Sequence, residues 1–282
     1  MTDVAKAVLA INSPESASQL EHNQHTDKEA IAAAFGKAAA NYDKSAAFQR
    51  LVGHQLIERL PTLMPVGSKL LDVGCGTGYF SEQLANRGFD VCATDLSSQM
   101  LEQAKQRCGN QITYQQGDAE NLPFPDNSFD VAYTSLALQW CPDLSIPLKE
   151  LRRVVKPGGC ILFTTLAENS LHELRYAWLQ VDQYQHVNHF LSQKAVKLAL
   201  AQAGGEIDTL EFLPITVKYN TAVELMKDLK GIGATHLQRE RKAGLASRKT
   251  IQALERAYDE FRDEKGQLPA TYQVCFGVII ND

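Results

Sequence analysis

The sequence predicts an α/β fold, a parallel sheet with helices on both faces. Three observations carry this. The stretch Lys69-Leu70-Leu71-Asp72-Val73-Gly74-Cys75-Gly76-Thr77-Gly78 reads as a buried strand running into a glycine turn, and a helix follows from about Tyr79 to Arg87. From there to Leu166, strand and helix patterns alternate, as in successive βαβ units. No repeat and no linker divides the chain, so residues 27–282 read as one domain with insertions. Sheets of this kind bind ligands outside the carboxyl ends of their strands, which makes the turns after the strands the place to look for function.

Residues 1–26 are polar and rich in Ser, Asn and Gln, and read as a mobile tail with a short helix near Val4 to Ile11. Thr26-Asp27-Lys28-Glu29 starts a helix, with an N-cap residue and acid in the first turn. It runs through Ile31 to Phe35, bends over Ala38 to Asp43, and is followed by a second helix from Ala46 to Leu60 that Pro61 and Pro65 close. These are cap helices, 27–60. Core strands are expected at 69–73, 89–94, 111–115, 128–133 and 159–166, and helices at 79–87, 97–107 and 143–155. Pro157-Gly158-Gly159 is expected to turn between a helix and a strand. After Leu166 the pattern breaks. Helices are expected over Leu171 to Gln185 and Ser192 to Ala203, a strand from Glu211 to Lys218, helices at 221–230 and 247–264, and a last strand from Thr271 to Ile280. Insertions near 169–192 and 218–250 form a helical lid in this reading.

The composition narrows the function. A net charge of −5 gives no global attraction to nucleic acid or an anionic membrane. No apolar run approaches the roughly 20 residues that span a bilayer, and Ala7 to Ile11 is too short for a signal peptide. The six cysteines are scattered without a C-x-x-C pair, so neither a metal site nor a disulfide framework is expected. The expectation is a cytoplasmic protein with reduced thiols.

The glycine spacing is the most informative local signal. A dinucleotide fingerprint G-x-G-x-x-G would place glycine where Tyr79 stands; here the third glycine comes early, at Gly78, and an acid, Asp72, lies inside the strand end. The run Asp72-Val73-Gly74-Cys75-Gly76-Thr77-Gly78 resembles the first motif of the class I S-adenosylmethionine (SAM) methyltransferases, which implies a Rossmann-like sheet and SAM as cofactor. On that resemblance Asp72, Gly74, Gly76 and Gly78 hold the amino-acid end of SAM. Asp95, at the end of the second strand, can accept hydrogen bonds from both ribose hydroxyls; the alternative is a helix N-cap with Ser97 and Ser98. Leu96 and Met100 supply apolar contact beside the adenine. Asp118 meets the adenine amine in this pattern, with the backbone at Ala119 beside the ring, against the alternative of a turn-forming Asp. Lys156-Pro157-Gly158-Gly159 is a fourth positioned feature. A nicotinamide oxidoreductase fits neither the early glycine nor Asp118, whereas a non-catalytic SAM-binding protein shares every feature so far.

The segments outside the core are more distinctive. Ile31-Ala32-Ala33-Ala34-Phe35-Gly36-Lys37-Ala38-Ala39-Ala40-Asn41-Tyr42, Leu136-Ala137-Leu138-Gln139-Trp140-Cys141 and Leu229-Lys230-Gly231-Ile232-Gly233-Ala234-Thr235-His236-Leu237 resemble the malonyl-acyl-carrier-protein O-methyltransferases of biotin synthesis. Leu268-Pro269-Ala270-Thr271-Tyr272 is similar too. The resemblance spans about residues 29–280 and implies methyl transfer from SAM to the free carboxylate of a malonyl thioester, on acyl carrier protein or coenzyme A. A carboxylate is ionised at neutral pH, so no general base is required, and positioning with exclusion of water suffices. Tyr42 is the candidate at the reacting centre, by hydroxyl or cation–π contact. Trp140 walls the methyl or adenine side. Lys230 and His236 are candidates for the malonyl carboxylate, with Arg50 and Arg175 behind them. Arg239, Arg241, Lys242, Arg248 and Lys249 form a basic cluster suited to an acidic carrier, or simply a solvated helix face. The chain lacks the Asn/Asp-Pro-Pro-Tyr/Phe run of nucleic-acid amino-methylating enzymes. A small-molecule C- or O-methyltransferase of quinone type is the enzymatic alternative.

Overall fold

The structure, a computed structural model, describes residues 28–61, 65–234 and 247–282. Seven strands form one sheet: β1 (Lys69–Val73), β2 (Asp90–Asp95), β3 (Thr113–Gln116), β4 (Phe129–Ser135), β5 (Val155–Ala167), β6 (Glu206–Tyr219) and β7 (Leu268–Ile280). Their spatial order is β3-β2-β1-β4-β5-β7-β6. The first five pair in parallel. β7 runs antiparallel between β5 and β6, so the parallel pairing suggested by the alternation up to Leu166 holds for β1 to β5 and the sheet as a whole is mixed.

Successive strand residues bury on opposite faces. Leu70, Val131 and Leu162 enter one core cluster; their neighbours Leu71, Ala132 and Ile161 enter the other. The helices divide accordingly. The α6 (Ser145–Val154) and α8 (Gln193–Ala203) helices supply Leu148, Leu151, Val196 and Leu200 to the second cluster. The α3 (Ala47–Ile57), α4 (Tyr79–Asn86), α7 (His172–Leu179), α9 (Ala222–Gly231) and α10 (Arg248–Tyr258) helices cover the first, through Leu56, Leu84, Leu174, Leu225 and Leu254. The α5 helix (Ser98–Cys108) follows β2. Four helix starts have a side-chain cap where the sequence places Ser or Thr: Ser97, Ser192, Thr221 and Ser247 each accept from a backbone N–H three residues on.

The N-terminal cap consists of α1 (Lys28–Ala38), a 3₁₀ turn at Ala39–Asn41, the single turn α2 (Tyr42–Ser45) and α3. The expected bend falls on the turn and α2. The α3 helix is pressed onto the sheet, with the Tyr133 hydroxyl donating to the Gly53 carbonyl (3.0 Å) and Phe48 stacked on Tyr272 at 3.9 Å.

β6 and β7 are longer than the sequence suggested. β5 pairs with Gln273–Ile280 of β7, whereas Leu268–Tyr272 pairs only with Ile215–Tyr219 of β6. This two-stranded extension carries Leu268, Ala270 and Tyr272 into the first core cluster and braces the helices packed there. Thr271 donates through its backbone N–H and its hydroxyl to the buried Glu173 carboxylate of α7, and the Tyr258 hydroxyl donates to the Pro269 carbonyl at 2.7 Å. The Lys156-Pro157-Gly158-Gly159 run is a bulge within β5: Phe129 pairs with Val155, then Val131 with Cys160. Lys156 binds Asp130 at 2.7 Å, so this run shapes the strand and lines no cleft. No helix among the described residues is long and apolar enough to cross a membrane.

Candidate active site

The site begins where β1 ends. Gly74 has φ +70, and a Cβ on it would lie 2.5 Å from that of Ala137, so this position admits only glycine. The backbone N–H groups of Gly74 and Cys75 donate to the Thr94 carbonyl at 2.8 and 3.0 Å, folding the turn against the end of β2. One residue on, Asp95 accepts from Gly76 N (2.9 Å) and Ser97 N (2.8 Å). Burial pushes its carboxyl up to about 6, with these backbone donors pulling the other way. Ser97, not Asp95, caps α5. Each oxygen of Asp95 thus has one modest partner and room to accept another.

A cleft of about 810 Å³ opens over this turn. Gly74, Gly76, Asp95, Leu96, Met100, Asp118, Ala119 and Trp140 all line it, joined by Lys28, Ile31, Phe35 and Tyr42 from the cap. The cap is tied down at two ends. Lys28 Nζ reaches Asp118 at 2.5 Å and also Glu120. Asp43 of α2 accepts from Thr77 Oγ1 (2.7 Å) and pairs with Arg107 of α5, which also donates to the Thr77 carbonyl at 3.0 Å. Tyr42 lies between these ties. Burial, then the neighbouring Asp95 and Asp43 charges, raise its phenol pKa, so the hydroxyl stays protonated and can donate.

A second cavity of about 750 Å³ adjoins the first. Phe35, Tyr42, Leu136 and Trp140 line both and form the wall between them. Phe35 and Trp140 meet edge to face at 5.3 Å. Leu136 holds a left-handed backbone (φ +52), fixed by donation of its N–H to Thr164 Oγ1 at 2.9 Å. A strained non-glycine residue at the junction of two cavities is where such strain is usually functional. The cavity is completed by Phe48, Gln49 and Gln139, by Leu166 and Leu171, by four residues from the stretch after α7 (His186, Val187, Asn188 and Phe190), and by Leu229, Ile232, Ala234 and Tyr272.

Five expected site residues lie elsewhere. Asp72 is 2% exposed and accepts from Ser81 Oγ at 2.6 Å beneath the turn; its strand neighbour Val73 lines the cleft instead. Gly78, at φ +77, packs on Ala104 and Cys108 and starts α4, so it serves the turn's shape and not the cleft surface. Lys230 is exposed: Leu229 and Ile232 occupy the helix face toward the cavity, and Lys230 is a hundred degrees of helix away from Leu229. Arg50 donates to the Asp43 carbonyl at 2.7 Å, and Arg175 to the Asn188 carbonyl at 3.1 Å; neither lines the cavity. His236, Arg239, Arg241 and Lys242 lie outside the described residues. The cap ties through Lys28, Asp43, Arg107 and Glu120 were not foreseen. Nothing local marks them, because each pairs residues dozens of positions apart.

A methyltransferase-domain family model matches residues 71–163, the strands and turns that build the first cleft. A malonyl-[acyl-carrier protein] O-methyltransferase from Serratia marcescens is 45% identical over 92% of this chain and 98% of its own length. The chain belongs to the malonyl-[acyl-carrier protein] O-methyltransferase family. Membership in this family extends to a fused form. The biotin biosynthesis bifunctional protein BioHC of Cellvibrio japonicus is 41% identical over 90% of this chain, which matches 50% of that longer protein. Among solved structures, a phosphoethanolamine N-methyltransferase of Haemonchus contortus in complex with S-adenosyl-L-methionine shares the fold (TM-score 0.55, 19% identity, 87% of this chain and 57% of that one). The sheet of this family member is thus of the Rossmann-like methyltransferase type, with β7 reversed beside β5.

Proposed function

We propose that this enzyme transfers a methyl group from SAM to the free carboxylate of a malonyl thioester, malonyl-acyl carrier protein or malonyl-CoA, giving the methyl ester used in biotin synthesis. The observation that carries the reading is the wall shared by the two cavities. Methyl transfer needs a cofactor cleft and an acceptor cavity meeting at one point, and Phe35, Tyr42, Leu136 and Trp140 stand at such a point. The first cleft suits SAM on its own chemistry. Asp95 has free acceptor capacity for two ribose hydroxyls, Leu96 and Met100 offer apolar contact to an adenine, and Asp118 with the Ala119 backbone suits its edge. The Gly74 to Gly76 turn leaves room for the amino-acid end.

Bound there, SAM supplies an electrophilic methyl that a carboxylate oxygen accepts, leaving S-adenosylhomocysteine. The chain's part is to bind, orient and exclude water. Trp140 and Phe35 wall the junction. The Tyr42 hydroxyl, kept protonated, donates to a polar atom at the junction or offers its ring face to a cation. No side chain need take a proton, since the acceptor acid is already ionised. The α7 and α9 helices and the described stretches 169–192 and 218–234 of the two insertions act as the lid over the acceptor cavity. Arg248 and Lys249, exposed at the start of α10, with Arg239, Arg241 and Lys242 nearby in sequence, would steer an acidic carrier. Six unpaired cysteines suit a cytoplasmic setting.

The test is direct. The protein is incubated with SAM and malonyl-CoA or malonyl-acyl carrier protein, and the product mass is read. A gain of one methyl on the malonyl group is expected. Methylation of quinone precursors with none on malonyl thioesters overturns the reading, and saturable SAM binding without transfer to either would make the protein a sensor.

A further inference from the structure

The acceptor cavity is mostly apolar, and no lysine or arginine is among its described lining residues. Besides the Tyr42, Trp140 and Tyr272 rings with their O–H and N–H groups, its polar lining is Gln49, Gln139, His186 and Asn188. Unsatisfied polarity is concentrated around it. Six buried side-chain atoms have no hydrogen-bond partner among the described residues: Gln49 Oε1, Thr94 Oγ1, Thr134 Oγ1, Gln139 Oε1, Arg175 Nε and Gln185 Oε1. Gln49 and Gln139 line the cavity themselves. Gln185 and Arg175 bond to the carbonyls of Val187 and Asn188, which also line it. Native folds leave few such atoms, and each calls for an explanation.

We propose that the carboxamides of Gln49 and Gln139 hold the substrate's free carboxylate, as a neutral clamp of N–H donors beside the wall shared with the cofactor cleft. This rests on the carboxyl-methylation reading above. Gln139 is placed for it. Its Nε2 donates one hydrogen to the Leu136 carbonyl at 2.6 Å and keeps a second, and it lines the acceptor cavity, standing in sequence between Leu136 and Trp140 of the shared wall. Gln49, which lines the same cavity, follows Phe48, and the stacking of Phe48 on Tyr272 anchors its backbone. The terminal torsion of glutamine is broad and nearly two-fold, so half a turn of Gln49 puts an N–H where its partnerless oxygen stands, whereas Gln139 keeps its orientation, because the same turn would set its oxygen against the Leu136 carbonyl. A carboxylate entering an apolar cavity must keep hydrogen bonds. Amide donors supply them without a full positive charge. That matters because the acid loses its charge on methylation: a cation held against it would favour the reactant over the transition state. The absence of a lining lysine or arginine among the described residues fits this chemistry.

The test uses Gln49→Met and Gln139→Met, which keep length and remove the N–H donors. Malonyl-CoA kinetics, binding of malonyl-CoA against acetyl-CoA in the presence of S-adenosylhomocysteine, SAM affinity by calorimetry, and Tm are measured for each. The clamp predicts a roughly ten- to hundred-fold fall in kcat/KM for malonyl-CoA and a shrunken preference for malonyl over acetyl. SAM affinity stays within about twofold. For Gln49→Met the Tm is unchanged or higher, because an apolar group replaces a buried atom without a partner. A structural role would instead lower Tm and SAM affinity together, and that result overturns the clamp. So does retention of wild-type KM and malonyl preference in both variants. In either case methylation of malonyl-CoA by the wild-type protein leaves the proposed function standing; failure of the wild type to methylate it removes both.

Discussion

At the scale of single residues, two carboxyl groups at the ends of neighbouring strands, Asp72 buried and Asp95 half-buried, have different work. Asp95 faces the cofactor cleft. Asp95→Ala is expected to weaken SAM binding by about 1–3 kcal/mol, the range for lost charge-assisted hydrogen bonds, measured by calorimetry on the folded variant. With its carboxyl at about 6, the ionised acceptor is lost as pH falls below that value. SAM affinity should then drop by up to about tenfold per unit, and Asp95→Asn should flatten this profile. Asp72 faces Ser81, and burial lifts it to about 7 despite the hydroxyl donor. The fold favours its neutral form. The stability this contributes is complete below the unfolded value of about 4 and is lost as pH rises toward about 7. Asp72→Asn keeps an acceptor for Ser81 and cannot ionise, so its Tm should exceed wild type at pH 8 and converge with it near pH 4. A lower Tm at pH 8 would mean that the charge itself is needed. The sequence distinguished the turn from its surroundings, because Gly74 and Asp95 answer to local backbone geometry. It did not reveal which way Asp72 or Lys230 points, since that depends on strand and helix phase relative to partners. Gln49 and Gln139 gave no signal, because a neutral amide is common on any helix or loop.

At the scale of elements, the Leu229 to Ala234 run owes its glycines to the cap. A Cβ on Gly231 would meet Ser45 Oγ at 2.2 Å and Ser45 Cβ at 2.7 Å, and one on Gly233 (φ +77) would lie 3.1 Å from the backbone of Ala34 and Phe35. The lid helix α9 and cap helices α1 and α2 therefore touch almost backbone to backbone, closing the acceptor cavity between them. Gly231→Ala should cost about 1–3 kcal/mol, as overpacking does, and raise KM for the acyl substrate by pushing α9 outward. Ser45→Gly should restore both in the double variant, whereas Ser45→Ala should not, because its Cβ remains. A double-mutant cycle in Tm and KM measures this. From sequence these glycines stand out only as part of the run that resembles the family; a helix end accounts for the positive φ of Gly233, while Gly231, the last residue of α9, answers to Ser45 across the contact. Core strands were legible to within a few residues because alternation and flanking turns bound them. The bulge at Lys156 to Gly159 and the β6–β7 extension were not, because strand ends there are set by partners far away in the chain.

At the scale of the whole molecule, the cap is a strap held at two buckles, Lys28 on Asp118 and Glu120, and Asp43 on Arg107 and Thr77. Lys28, Asp118 and Glu120 line the cofactor cleft and Asp43 adjoins Tyr42, which also lines it, so the two ties are expected to govern ligand exchange. Asp43→Ala should speed SAM release in stopped-flow measurements and lower affinity several-fold. The Tm gain on adding SAM, about 2.7 kcal/mol equivalent at a hundredfold excess over Kd, should shrink in proportion at fixed SAM concentration. An unchanged release rate would show that the cap does not gate the cleft. The sheet order has a consequence for how this molecule comes into being. β7 lies between β5 and β6, yet its residues are made after both. A growing chain emerging from the ribosome can join β1 to β5 side by side, but β6 has no seat until residues 268–280 arrive. Until then the outer edge of β5, with Ile161, Leu162 and Phe163, offers unpaired backbone to any neighbouring chain. A chain stopped at residue 267 should therefore be recovered as aggregate, because the partly made protein carries an adhesive edge that only its own last strand can cover.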